Sequence, residues 1–339
     1  MADRDPPPGS PDAAPARPRV WRTLCDVVLD NPTLFTAGIL LAMWLVLSQL
    51  SPYFFTLSNL LEITVQAAVI ALIAVGQTFV ILSKGIDLSV GSIVAAAAVT
   101  STMVMEGGHG LSAGIVAGML CGAMFGAANG VAVGVLRIPP FVATLGMMGI
   151  ARGYALIVTE GIPVFKVAPG FEQLGQGRIA DILPVPTLTT LALYALGLFV
   201  LLRTRLGRYT YAIGSNQQAT ILSGVNVPRY LILIYALSGI TAAIAGLTEA
   251  SRIGSGQPAS GVGYELDSIA AVVIGGTSLF GGQGSLFGSL IGAMIIASIR
   301  NGLNVLGVYA FWQLVAIGTI LIVAVYVDNW RRRRHGGEQ

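Results

Sequence analysis

Few residues of this 339-residue chain have the types and spacing that enzyme chemistry requires. Hydrolysis of ATP at a P-loop needs a lysine directly before serine or threonine in a glycine-rich loop, where it reaches the phosphates. The chain contains only two lysines, Lys84 and Lys166, and they precede Gly85 and Val167. The chain is therefore expected neither to hydrolyse ATP itself nor to hold a cofactor.

The histidines and cysteines are also too scattered for a reactive or metal-binding group. His109 and His335 lie in a loop and in the charged tail, so neither a metal cluster nor a histidine-based catalytic group is predicted. Cys25 and Cys121 are too few for a disulfide framework. These residues exclude the common classes of enzyme and redox protein.

The composition instead indicates a protein whose solvent is a lipid bilayer. Charged residues make up 10% of the chain, whereas soluble domains carry roughly a quarter. Hydrophobic residues contribute 54%, glycine occupies 43 positions, and the mean hydropathy is +0.77. We therefore predict an all-α, polytopic integral membrane protein with no nucleic-acid partner.

The elements that must position any functional residue are transmembrane helices. Apolar runs near 20 residues, the length that crosses about 30 Å of hydrocarbon, predict about ten helices within a range of eight to eleven. They lie at about 34–51, 63–82, 89–105, 111–135, 140–158, 187–202, 231–250, 267–281, 285–303 and 311–327. Placing the N-terminus inside assigns 14 of the 19 basic residues to the cytoplasm, so both termini are predicted to be cytoplasmic.

This topology divides the chain into three parts. Residues 1–30 are Pro-rich and polar and are interpreted as a disordered cytoplasmic tail. Residues 31–328 form the transmembrane domain. Residues 329–339 form a basic cytoplasmic tail.

Glycine recurs at every fourth residue of the fourth predicted span. Small residues at this spacing allow two helices to approach closely. Each four-residue step advances about 40° beyond a full turn, so the stripe indicates a right-handed crossing or contact with two successive neighbours. We interpret it as helix packing. Its members are Gly114, Gly118, Gly122, Gly126, Gly130 and Gly134, and a second seam of Gly284, Gly288 and Gly292 opens the ninth span.

Two other glycine-containing segments resemble each other. Gly85 follows Gly76 by nine positions, and Gly284 follows Gly275 by nine positions. An internal duplication would explain the likeness, and such symmetry often frames a translocation path. Chance similarity within glycine-rich membrane sequence explains it equally well.

The longest predicted cytoplasmic connection, at about 203–230, contains the signals of a short helix. Ser215 or Asn216 is a candidate N-cap, and Gly224 is a candidate C-terminal stop. The apolar side chains of such a helix would lie outside the bilayer, where a cytoplasmic partner could cover them. A solvated loop whose basic residues serve only topology is the alternative. The residues expected at the partner surface are Gly214, Asn216, Ala219, Leu222 and Gly224.

Arg152 lies near the middle of the fifth predicted span, where a charge faces either a water-filled path or a buried partner. Both interpretations stay open. Glu265 and Asp267 lack a neighbouring nucleophile or metal ligand, and Asp267 is better explained as the cap of the eighth span. The polar residues predicted to line a translocation path are Asn129, Thr144, Arg152 and Asn301.

Five stretches of the chain, in order, resemble the ribose-type permeases of ATP-binding-cassette sugar importers. The resemblance covers nearly the whole chain from about residue 34 to 328. The matching stretches are GIDLSVGS at 85–92, PFVATLGM at 140–147, ARG at 151–153, and the segments 214–224 and 263–292. Any one of them alone would be weak, but their number and order make the resemblance specific.

The resemblance implies a permease subunit of the bacterial inner membrane, usually present as two copies. It further implies that cytoplasmic ATPase subunits use the ATP and grip the loop at 203–230. An external or periplasmic sugar-binding protein would deliver the substrate. The mixed charges of the predicted external loop 159–186 suit transient docking of such a protein, although a plain solvated loop would carry them equally well.

Two other functions remain open from the sequence. An ion-coupled secondary carrier of a small polar solute is disfavoured, because the carboxylates lie near predicted span ends rather than in mid-span. A membrane scaffold without a pathway would need the packing glycines but not the polar residues.

Overall fold

The computed structural model describes residues 32–309 and 311–319, together with Ile322 and Tyr326. In the order of the chain the elements are α1 Pro32–Leu50, α2 Leu57–Leu82, α3 Val90–Glu106, α4 Gly110–Gly134, α5 Pro140–Thr159, α6 Gln173–Gln176, β1 Arg178–Ile179, β2 Leu183–Pro184, α7 Val185–Arg203, α8 Arg205–Ser215, α9 Gln217–Leu222, α10 Val227–Ile253, α11 Tyr264–Ile274 and α12 Leu286–Val305. Residues 311–319 are also helical. The predicted tails 1–30 and 329–339 lie outside the described residues, as does most of 320–327.

Seven helices of the described residues are long and apolar enough to cross a bilayer, namely α1, α2, α4, α5, α7, α10 and α12. This confirms a polytopic, all-α membrane protein. The strands are a two-residue antiparallel hairpin, β1 with β2, in the connection between α5 and α7. The same connection lies across the end of α10, where Gly175 N donates to Ser251 Oγ (2.7 Å).

The eighth predicted span, 267–281, is wrong as a single helix. α11 ends at Ile274, and 275–285 form a non-helical segment in which Gly276, Gly281 and Gly282 have positive φ. Eleven residues of helix rise about 16 Å, roughly half of the hydrocarbon thickness. Glycine reaches positive φ without a steric penalty, which explains why the helix breaks there.

α2 forms the centre of the bundle. Every residue from Ala67 to Leu82 is buried, and α2 packs against α10, α11, α12 and α7. The outer helices expose large apolar side chains instead, such as Met124 in α4 and Ile157 in α5. Apolar outer faces around a packed centre are what a helix bundle in lipid requires.

The glycine stripe of α4 packs against two successive helices, which is one of the two arrangements considered from the sequence. Gly114 and Gly118 lie against α3, near Ser101. The remaining four lie against α10, and at Gly126 a Cβ would stand 3.0 Å from Gly239 N. All six glycines are buried. Because α3 and α10 follow each other around α4, the drifting stripe stays covered along its length.

The second glycine seam is shorter than predicted. α12 begins at Leu286, so Gly284 lies in the preceding segment, next to Thr277, rather than in the helix. Gly288 and Gly292 do pack against α11, where they meet backbone atoms of Gly275 and Ala271. The seam therefore joins α11 to α12.

The proposed internal repeat is not matched residue by residue in the structure. Gly76 lies inside α2, whereas Gly275 ends α11. The connection after α2 is 83–89, and the connection after α11 is the longer 275–285. Whether the two segments share an origin stays a prediction.

α3 begins inside the bundle rather than at its edge. After α2 ends, residues 83–89 turn back along it, and the Asp87 carboxylate accepts a hydrogen bond from Ser238 Oγ near the middle of α10 (2.9 Å). Gly85, Asp87 and Ser89 are buried. Non-helical backbone at this depth is tolerated because protein covers most of it.

α11 also begins inside the bundle. The segment 254–263 enters from the opposite end, where Gly256 and Val164 form an antiparallel β-bridge. Further along, Gly261 packs on Gly91 in the first turn of α3. The N-terminal ends of α3 and α11 therefore meet within the bundle.

Candidate translocation region and coupling surface

A carboxylate lies where the first turns of α3 and α11 meet. A Cβ on Gly91 would contact Glu265 Oε2, and Gly263 N donates to Glu265 Oε1 (3.2 Å). Helix N-termini carry partial positive charge, so a carboxylate between two of them is favourably placed. The sequence singled out Glu265 only as an improbable catalytic acid.

Asp87 ties the unwound segment 83–89 to three helices. Its Oδ1 accepts hydrogen bonds from Ser89 N (3.0 Å) and Ser89 Oγ (2.6 Å), and its Oδ2 accepts one from Ser238 Oγ. Asn129 Nδ2 in α4 donates to the same Ser89 hydroxyl (2.8 Å). This buried network fixes the start of α3 against α4 and α10.

The four predicted path residues do not converge on one site. Asn129 belongs to the Asp87 network, and Thr144 Oγ1 donates to Ile86 O (3.1 Å) in the same unwound segment. Asn301 is paired with Asn59 through two side-chain hydrogen bonds, of 2.9 and 3.0 Å, at the other end of the bundle. A lining role for any of them during transport stays a prediction.

Arg152 has buried backbone partners. Its Nη1 donates to Pro258 O (2.7 Å) and to Ser260 O (2.6 Å), both in the segment 254–263. The guanidinium therefore holds this non-helical segment inside the bundle. Of the two interpretations left open, the structure favours the buried partner, which is a pair of carbonyl groups rather than a single counter-ion.

Asp267 does not cap its helix, contrary to the prediction. The N-cap of α11 is Gly263, and Asp267 lies in the first turn, where it forms an ion pair with Arg300 of α12. From the first turn, its charge still complements the N-terminus of α11. The partner could not be read from the sequence because α11 and α12 meet only in the folded bundle, through shared core contacts and their glycine seam.

Arg300 belongs to a group of polar residues that were not identified from the sequence as functional candidates. It lines a cavity between α2, α11 and α12 together with Gln66, Arg252, Tyr264, Asn304 and Gln313. Each of these residues lies in or beside a predicted span. Their polar character was the only feature of the sequence that could have identified them. Their convergence depends on contacts between helices that are far apart in the chain.

The connection 203–227 forms a compact surface at one end of the bundle, here called the α9 face. It contains two helices rather than the single short one predicted. Asn216 is the N-cap of α9, with Oδ1 accepting from Ala219 N (2.9 Å), and Gly224 follows the helix with φ +80°. Leu222 is 88% exposed. An apolar side chain so exposed outside the spans is available to a partner.

Gly214 is not part of the exposed surface but lies beneath it. It is buried where α8 meets the end of α2 and the segment 275–285, and Gly282 N donates to Leu82 O at this point (2.9 Å). Tyr211 Oη donates to Gly284 O (2.9 Å). Burial raises the pKa of Tyr211, so the phenol stays protonated as a donor. The α9 face is thus bonded directly to the segment that follows α11.

A helical bundle of long apolar spans, with two helices interrupted inside it and an exposed surface at one end, defines a multi-pass membrane protein of the transporter type. The chain matches the family described as branched-chain amino acid transport system / permease component over residues 59–325, and it belongs to that family. It is therefore a transport subunit and not an enzyme.

Three relatives show how far the likeness extends. The ribose import permease protein RbsC of Escherichia coli (strain K12) is 43% identical over 310 residues, which cover 89% of this chain and 94% of the relative. The RbsC protein of Bacillus subtilis (strain 168) is 44% identical over 292 residues, covering 84% and 89%. The D-allose transport system permease protein AlsC of Escherichia coli (strain K12) is 38% identical over 299 residues, covering 88% and 90%. No solved structure matches the chain.

Proposed function

We propose that this chain is the permease subunit of an ATP-binding-cassette importer of a monosaccharide, with a ribose-like sugar as the substrate. The observation that carries the proposal is the 43% identity to a ribose import permease over 94% of that relative's length. Further relatives are named for allose and xylose transport. The shared substrate class of these relatives is a single sugar unit.

We infer a topology of ten crossings with both termini cytoplasmic. The seven long helices supply seven crossings. α3, α11 continued by the segment 275–285, and the helix that begins at 311 would supply the other three. The bacterial inner membrane is the inferred location, and the α9 face would then be cytoplasmic.

The ATPase partner would bind the α9 face. Leu222 and Ile221 are exposed there, and the hydrogen bond from Gly282 N to Leu82 O links the surface to the bundle interior. Movement of a bound ATPase would reach α11 and α12 through that bond. ATP hydrolysis would take place entirely in the partner, and a binding protein would deliver the sugar from the other side.

We extend the proposal to a pair of permease chains in each transporter. The outer faces of α4, α5 and α7 are apolar, as contact with lipid or with a second copy requires. Cross-linking of single cysteines placed along α5, in membranes that contain the ATPase, would give a dimer band if two copies meet at that helix.

The test is reconstitution of the chain in proteoliposomes with its ATPase and its sugar-binding protein. Uptake of radiolabelled ribose, allose and xylose is measured with each component left out in turn, and with an ATPase whose P-loop lysine is replaced by alanine. We expect uptake only with all three intact components and ATP. Uptake by the chain alone, driven by a proton or sodium gradient, would refute the proposal in favour of a secondary carrier.

A further inference from the structure

The cavity between α2, α11, α12 and the helical residues 311–319 has a volume of about 200 Å³. Two of its lining residues, Arg252 and Asn304, lie in the last turns of α10 and α12. Because α10 starts beside α9, the cavity lies toward the opposite end of the bundle. A cavity of this volume has room for several water molecules. It suits one small solute rather than a chain of sugar units.

The cavity is lined by both apolar and polar side chains, here called its apolar wall and its polar wall. Polar side chains between membrane helices are costly unless they face water, a partner or a solute. An apolar surface with a few converging polar groups is the usual form of a small-molecule site. The apolar wall consists of Val69, Ile70, Ala293, Ile296 and Ala297, and the polar wall of Gln66, Arg252, Tyr264, Arg300, Asn304 and Gln313.

Several polar groups of this wall retain hydrogen-bonding capacity. Asn304 Oδ1 accepts from Gln313 Nε2 (2.7 Å), which leaves the Asn304 nitrogen and the Gln313 oxygen for a solute. Gln66 Nε2 donates to Glu62, which leaves the Gln66 oxygen. Within the part of the chain that the structure describes, the Arg252 guanidinium makes no hydrogen bond. Both donors and acceptors are therefore available, as hydroxyl groups require.

Each of the two guanidinium groups of the cavity is near a carboxylate. Arg300 forms an ion pair with Asp267. Arg252 is close enough to Glu249 for electrostatic attraction, and Glu249 accepts a hydrogen bond from Tyr264 Oη (2.7 Å). The exposed Glu62, which accepts a hydrogen bond from Gln66, is a third carboxylate nearby. Because both cations of the lining already have a carboxylate nearby, an anionic solute gains little electrostatic compensation for the water that it loses.

We propose that this cavity binds a neutral, polyhydroxylated solute of monosaccharide size on the side of the membrane opposite the α9 face. The proposal rests on the proposed function and names the site where the sugar first enters the permease. Sugar hydroxyls accept hydrogen bonds from Arg252 and from the Asn304 amide, and they donate to the oxygens of Gln66 and Gln313. The C–H face of the ring lies against the apolar wall.

The first test compares uptake by polar-to-apolar variants of the reconstituted transporter. Gln66→Leu and Asn304→Leu each remove hydrogen bonds to the solute while keeping the side-chain size. We expect uptake at low sugar concentration to fall about tenfold in each variant. Thr64→Val is the matched control, because Thr64 lies on the same helix and its hydroxyl bonds Thr187 of α7 outside the cavity. Its uptake should stay within about twofold of the unaltered chain.

A second readout separates binding from assembly. Asn304→Cys is labelled by a membrane-impermeant thiol reagent from the side opposite the α9 face, in the full complex, and labelling of residue 304 is quantified by peptide mass spectrometry. Saturating ribose, allose or xylose should slow labelling at least fivefold for any sugar that is transported. Leucine, which is zwitterionic and lacks hydroxyl groups, should not slow it.

The outcomes are distinguishable. If the unaltered complex imports no sugar with ATP, the proposed function fails and the cavity proposal falls with it. If the unaltered complex imports sugar, while Gln66→Leu and Asn304→Leu import it equally well and sugar gives no protection at residue 304, only the cavity proposal is overturned. Protection by leucine but not by sugar would overturn the solute class.

Discussion

Replacement of Gly214 by alanine is the sharpest test of how the α9 face is connected to the bundle. At this position α8, the end of α2 and the segment 275–285 meet through their backbones. A Cβ added to Gly214 would overlap most with Leu82 O, and it would also lie 2.6 Å from Gly282 N and 2.9 Å from Leu82 C. Neither neighbour is the movable end of a side chain, so the backbone itself must shift.

The size of the effect follows from these distances. Ordinary contact with a Cβ begins near 3.4 Å, so Gly282 N must move by about 0.8 Å and Leu82 O, which is nearer, by more. That movement stretches the hydrogen bond from Gly282 N to Leu82 O, whose loss costs about 1–3 kcal/mol. Overpacking adds about 1–3 kcal/mol, and the better helix propensity of alanine returns about 1 kcal/mol. We expect a net loss of about 3 kcal/mol.

The assay is thermal unfolding of the purified permease in detergent, combined with uptake in the reconstituted transporter. A loss of this size lowers Tm by about 5 °C or more in a protein of this length. Gly224→Ala is the matched control, because Gly224 has φ +80° but no heavy atom within 4 Å of an added Cβ. Its cost is the left-handed conformation alone, about 1–2 kcal/mol. A Tm for Gly214→Ala equal to or above that of Gly224→Ala would refute the reasoning.

Three further predictions concern packing, the unwound segments and the partner surface. Gly126→Ala should lower Tm more than Gly114→Ala. An added Cβ meets only backbone of α10 at Gly126, whereas at Gly114 its two nearest contacts are with the flexible Met105 side chain and the third is with Ser101 O at 2.9 Å. Equal Tm values would contradict the close α4–α10 contact. Arg152→Ala leaves two carbonyl groups of 254–263 unpaired. We therefore expect the free energy of unfolding to fall by about 2–4 kcal/mol and protease cleavage in that segment to become faster. Unchanged cleavage would argue against a positioning role for Arg152. Leu222→Asp should abolish co-purification of the ATPase with no change in the Tm of the permease alone, since Leu222 is 88% exposed; an intact complex would place the partner elsewhere.

Local patterns predicted much of the fold. The hydropathy of the runs identified the long helices. Because a helix has a fixed geometry, the four-residue spacing of the α4 glycines predicted either a right-handed crossing or contact with two neighbours. The cap at Asn216 and the positive φ of Gly224 also followed from residue type. These features depend on residues close together in the chain.

The interior of the bundle was harder to predict. Hydropathy averaged over a window could not show that α11 ends before its glycine-rich continuation, because both segments are apolar. The end of the helix depends on the backbone angles at Gly276 and the glycines that follow. Arg152 was identified as informative, but its carbonyl partners lie in a segment that the sequence treated as an ordinary connection. The cavity residues Gln66 and Asn304 come from helices far apart in the chain, so only the packing brings them together.

The shortness of α11 has a consequence for how the protein is made. Eleven residues rising about 16 Å cannot cross the hydrocarbon alone, and the unwound residues that follow expose peptide groups that lipid cannot solvate. During synthesis, this stretch on its own is therefore poorly suited to transfer into lipid. We therefore expect α11 to become stable in the membrane only together with α12 and α2, against which it packs, and mutations that weaken this packing should lower the amount of inserted protein.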